Sequence, residues 1–130
     1  MINTKELTIG CYVKVNGKPY KVDEIFNNAV GLEKWDTLFI SSDLKPIPIT
    51  KELLLKNGFE EFLHFENIWE YFKDFGEYTI RVIDDGILDF TDKMTVEITD
   101  NSNYLGIKAK YIHQVQTFCN VLGIDLKLEL

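Results

Sequence analysis

Hydrophobic positions in this chain follow a strand-like period near the start and a helical one near the end. Residues 7 to 25 read "LTIGCYVKV", "NGKP", "YKVDEI", an alternating pattern interrupted by Asn16-Gly17. Both residues tolerate positive φ, as a tight primed turn requires, so the pattern predicts a hairpin. A second hairpin is expected with "FNNAVG" as its turn and "LEKWDTLFI" leading into further strand. Several short strands within the first 49 residues suggest an SH3-like small barrel or strand cluster, closed by "LKPIPI". Pro46 and Pro48 hold that last segment extended and remove amide donors, so it should be an edge or a linker.

Thr50 then reads as a helix N-cap, with Glu52 where the helix dipole favours a negative charge. The helix "KELLLKN" spans 51 to 57, Gly58 suits its left-handed C′ position, and Phe59 can fold back on Leu54. Gly123 and Ile124 repeat that stop signal, with Ile124 placed to meet Cys119. Between them, "FEEFLHFENIWEYFKDF" carries two patterns. Phe62, Phe65, Trp69 and Phe72 share a helical face, whereas Trp69, Tyr71 and Phe75 share one side of a strand, and a loop followed by a strand is the preferred reading. "EYTIRVIDDGILDF" gives two strands around an Asp85-Gly86 turn, and "MTVEIT", the turn "DNSN" and "YLGIKAK" complete a meander. The tail "DLKLEL" alternates in a way that suits a further edge strand.

On a helix over 111 to 122, Tyr111, Ile112, Val115, Phe118, Cys119 and Leu122 occupy an arc of about 120°. That arc is expected to pack on the meander. His113, Gln116 and Asn120 line up at i, i+3 and i+7 on the polar side, which makes them the candidate partner-binding residues. The alternative is a structural stripe, solvated or buried with its polar groups satisfied, and the lack of an aromatic or arginine anchor favours it. The expected fold is one α+β domain over 1 to 130: SH3-like strands over 1 to 49, then a linking helix, the meander, the C-terminal helix and the tail.

Composition narrows the chemistry. A content of 45% hydrophobic and 27% charged residues in a 15.1 kDa chain is ordinary for a globular protein with an adequate core. No run suits a membrane helix or a signal peptide, which predicts a cytoplasmic protein without membrane contact. Residues 1 to 56 hold eight lysines against seven acids, and residues 57 to 130 six basic residues against fourteen acids. The first part is therefore at net +1 and the second at net −8, so the acidity belongs to the second part. With thirteen lysines and a single arginine, Arg81, the chain lacks a basic footprint for nucleic acid.

Candidate catalytic and metal chemistry finds little support. Cys11, Cys119, His64 and His113 never fall at metal-ligand spacing, and the two cysteines read as buried thiols. The acid-rich "DDGILDFTD" fails the calcium-loop pattern, since Gly86 would stand at position 3 when counting from Asp84. Phosphate-loop, dinucleotide and nucleophile-elbow motifs are absent from the sequence, so no cofactor, metal or catalytic residue is expected. The leading reading is a non-enzymatic interaction protein. Two alternatives stay open: a nucleic-acid mimic whose acids imitate phosphates, and a small hydrolase or transferase using His64 or His113 with Cys11, Cys119 or an acid.

Three blocks, "ELTIGCYV" at 6 to 13, "PIPITKELLLKNGF" at 46 to 59 and "YIHQVQTFCNVLGIDL" at 111 to 126, cover 38 of 130 residues. They resemble a family of small uncharacterised proteins of bacteria and their prophages, with the patterns E-L-R-I-G-N-x-V, P-I-P-L-T-E-E-x-L-L-K-F-G-F and Y-V-H-Q-L-Q-N-L-Y-F-A-L-T-G-E-E-L. Cys11 stands where that family has Asn, Asn57 replaces an aromatic residue, and the last helix is one residue shorter before Gly123. The resemblance implies a cytoplasmic, often prophage-encoded accessory protein and brings no activity with it. His113, Gln114 and Gln116 match its motif without an assigned role.

Overall fold

A computed structural model describes residues 2–63, 68–84, 94–100 and 103–130. The chain is α+β, with two antiparallel sheets and a C-terminal helix. It divides into two compact units: Met1–Pro48 with Tyr111–Leu128 and Leu130, and Ile49–Lys110 with Glu129.

In the first unit, β1 (Tyr12–Val15), β2 (Lys18–Ile25), β3 (Val30–Leu32) and β4 (Leu38–Phe39) form a sheet in chain order. Asn16 at φ 52° and Gly17 at φ 79° make the expected primed turn, which sets Val15 opposite Lys18 and Tyr12 opposite Lys21. A 3-10 turn at Ser41–Asp43 then returns the chain to β1, where Lys14 and Lys45 exchange two backbone hydrogen bonds of 2.9 Å. No ladder among the described residues closes this sheet into the expected barrel: it is an open strand cluster. Its interior is Ile2, Leu7, Cys11, Val13, Val15, Val22, Val30, Leu32, Phe39 and Leu44. Most of these are the alternating residues of the sequence, since successive strand side chains point to opposite faces.

The second unit opens with α1 (Lys51–Lys56). Thr50 Oγ1 accepts the Leu53 N–H at 3.2 Å, Gly58 takes φ 83°, and the Phe59 N–H donates to the Leu54 carbonyl at 3.1 Å. Both ends of α1 are thus capped as its sequence specifies. The sheet that follows has the order β5 (Glu60–Leu63), β6 (Trp69–Phe75), β7 (Tyr78–Asp84), β8 (Met94–Thr99) and β9 (Tyr104–Ala109). Its register aligns Tyr71 with Val82, Val82 with Val96 and Ile80 with Ile98, and all five are buried. Residues 60–63, read from sequence as loop, form an edge strand whose four side chains are all exposed, so they carry no alternation to reveal it. The Asp85-Gly86 turn, His64 and all of the acid-rich segment except Asp84 lie outside the described residues.

The second helix, α2 (Ile112–Val121), belongs to the first unit, where it contacts β1 and a 3-10 turn at Thr4–Glu6. This corrects the expectation that it covers the meander. Its buried residues are Ile112, His113, Val115, Gln116 and Cys119, whereas Tyr111, Phe118 and Leu122 are half-buried. Relative to the apolar arc, the buried face is turned by roughly 70° toward the polar stripe. The physical reason is that residues 6 to 12 offer polar partners to that stripe. Gly123 at φ 75° ends the helix, and Ile124 donates to the Cys119 carbonyl at 2.9 Å. The tail from Ile124 forms no strand, unlike the expectation for "DLKLEL". No helix among the described residues is long and apolar enough to cross a membrane.

Candidate functional site: the polar face of the C-terminal helix

All three residues of the stripe meet the N-terminal segment of their own unit. Gln116, 3% exposed, accepts the Tyr12 backbone N–H through Oε1 at 2.9 Å. Asn120, at the exposed end of the stripe, donates from Nδ2 to Thr8 Oγ1 at 2.9 Å. His113, 1% exposed, sets Nε2 at 3.3 Å from Glu6 Oε2 and stacks its ring on Tyr111 at 5.9 Å. Between them Thr117 donates its hydroxyl to the Glu6 carbonyl at 3.0 Å. The structure therefore brings His113, Gln116 and Asn120 together along one seam, with two of the three turned inward.

The electrostatics of the seam are those of a packed interior. Burial lowers the His113 imidazole below its ordinary value, and the hydrogen bond and charge of Glu6 offset this only in part. His113 is accordingly neutral at pH 7, and its buried Nδ1 has no hydrogen-bond partner among the described residues. Burial pushes the Cys119 thiol up to about 12, which leaves it without thiolate character. Cys11 Sγ lies 3.1 Å from Thr8 Oγ1 and hydrogen-bonds the carbonyl of His113, not its ring. Both cysteines are free and buried. The His113–Glu6 pair is the one imidazole–carboxylate contact described, yet its imidazole is closed to solvent. No cluster of potential metal ligands occurs among the described residues.

One end of the stripe borders open space. Gln116 and Asn120, with Ile9, Gly10, Tyr12 and Lys21, line a cavity of about 410 Å³ completed by Asp125–Leu128 of the tail. Lys21 lies across the β1–β2 pair from Tyr12 and holds its Nζ 5.7 Å from that ring's centroid. Sequence reasoning missed Tyr12 and Lys21 as site residues, although the two-residue turn at Asn16-Gly17 fixes them as cross-strand partners. Their neighbour Gly10 has φ 94°, and a side chain there would meet nothing within 4 Å.

No protein-family model, no curated protein and no solved structure matches this chain.

Proposed function

We propose that the chain is a non-enzymatic interaction protein whose second unit receives an extended, basic segment of another protein along β9. The observation that carries this reading is the outer edge of the five-stranded sheet. There Tyr104 is 70% and Leu105 52% exposed on a strand with no neighbour beyond it in the described sheet order. Exposed strand edges pair readily with incoming chains, and apolar side chains on such an edge add contact area.

Charge favours a cationic partner. The second unit holds seven basic and fourteen acidic side chains, so it carries the entire net charge of −7, while the first unit is balanced at seven and seven. Burial, and then the charges of Glu61, Asp84 and Glu52, raise the Tyr71 phenol above its ordinary value. The net negative charge of the unit as a whole would steer a cationic strand toward it. In the terms of the prophage-type resemblance, such a protein would be an accessory acting on a host or phage protein. The return of Lys45 to β1 after a 3-10 turn supports an SH3-like reading of the first unit.

The test is affinity capture from host lysate by the full chain and by a Tyr104→Lys/Leu105→Lys variant. Retention of a protein at low salt that is lost both at high salt and with the variant supports the reading; no retention at low salt, or retention indifferent to the variant, contradicts it. The concentration of acids also favours a second reading, a nucleic-acid mimic seated in a basic groove, and competition by duplex DNA for the captured protein separates the two.

A further inference from the structure

The carboxamide of Gln116 has a fixed orientation. Its Oε1 must face the Tyr12 N–H, because only the oxygen can accept. That leaves Nε2 with two N–H donors on a side chain 97% removed from solvent, and no acceptor for them exists among the described residues. A wholly buried amide donor without an acceptor costs about 1 to 3 kcal/mol. Nε2 is not sealed in this way: His113 Nδ1 is the only side-chain atom both sealed and unpartnered among the described residues. Nε2 therefore keeps an accessible side, and the cavity that Gln116 lines is open space beside it.

The charges of the cavity wall point in the same direction. Asp125 is ion-paired with Lys127 at 3.7 Å, whereas Lys21 has no carboxylate partner among the described residues and lies over the Tyr12 ring. The lining thus has one unbalanced positive charge in a chain of net charge −7. Ile9, Leu126 and Leu128 supply an apolar part of the same wall. A volume of about 410 Å³ falls within the range of small-molecule sites.

We infer that this cavity binds a small molecule carrying an oxyanion, carboxylate or phosphate, on an apolar body. The oxyanion accepts hydrogen bonds from Gln116 Nε2 and pairs with Lys21, since a charged acceptor strengthens such bonds and a lone cation supplies its counter-charge. The body lies against Tyr12, Ile9 and the two leucines. This site is in the first unit and is independent of the edge strand proposed for protein binding.

The test is a titration of the full isotope-labelled chain with phenyl phosphate and with benzoate at constant ionic strength, using neutral benzyl alcohol as control. The readout is the Gln116 side-chain amide and the Gly10 backbone amide in nitrogen–proton correlation spectra. Saturable shifts with either oxyanion and none with the alcohol are expected, the tighter of the two identifying the anion. Gln116→Glu keeps the acceptor for Tyr12 but replaces the donor by a negative charge, and Lys21→Gln removes the cation without touching the seam. Each should weaken binding about tenfold or more. Should Gln116→Glu fail to fold, Lys21→Gln decides alone. Absence of saturable shifts, an equal response to benzyl alcohol, or affinity unchanged in Lys21→Gln would overturn the inference.

Discussion

Gln116 and Tyr12, 104 positions apart in sequence, are joined by a 2.9 Å hydrogen bond from the Tyr12 backbone N–H to the Gln116 side chain. Through this bond the C-terminal helix caps the first strand of the N-terminal sheet. An amide at the start of a strand needs an acceptor, and here a side chain of α2 provides it.

Replacing Gln116 by Leu removes that acceptor and strands the Tyr12 N–H. The expected loss is about 1 to 3 kcal/mol, the cost of a buried donor left unsatisfied. Val121→Ala, on the exposed side of the same helix, should lose less. Urea unfolding of the two variants beside the parent chain gives the comparison, and equal losses would argue against the bond.

Stability should depend on pH through His113. In the unfolded chain the imidazole takes its proton near the ordinary value of 6.5, while in the folded chain burial holds it lower. The unfolded state therefore binds more protons in that window. The contribution of this site is complete above about 6.5 and declines as the pH falls through the ordinary value toward the lowered one. His113→Phe should abolish this component of the pH profile. Unfolding free energies from pH 8 to pH 5 for both proteins measure it, and parallel profiles would refute it.

The rotation of α2 has its own consequence. Ile112 is 3% exposed, and Ile112→Ala should cost about 2 to 5 kcal/mol as a buried large-to-small change. Phe118, larger but only half-buried, should cost less on truncation than its size suggests. Denaturation midpoints of the two variants rank them. The reverse order would restore the helix face drawn from the apolar arc alone.

That contrast shows which features of the sequence are legible. The Asn16-Gly17 turn, the Thr50 cap and the Gly58–Phe59 stop each depend on chemistry within a few residues, and each forms as its sequence implies. The strands β7 and β8 likewise follow their alternation. The inward face of α2 was hidden for a different reason. His113 and Gln116 look like a wet stripe until Glu6 and Tyr12, more than a hundred residues away, supply their partners. An apolar arc also does not specify which sheet receives it, so the arc of α2 alone points as readily to the meander as to β1. The cavity lay half in view: Lys21 and Tyr12 follow from the hairpin register, but the approach of Gln116, Asn120 and the tail does not.

Hydrogen exchange at the Tyr12 amide tests most directly the claim that the polar face of α2 is built into the first unit. The structure predicts that this amide is protected in the parent chain to a degree similar to the hydrogen-bonded amides of β1, and that Gln116→Ala selectively removes the protection. Free exchange at Tyr12 in the parent chain, or protection that survives the substitution, would contradict it.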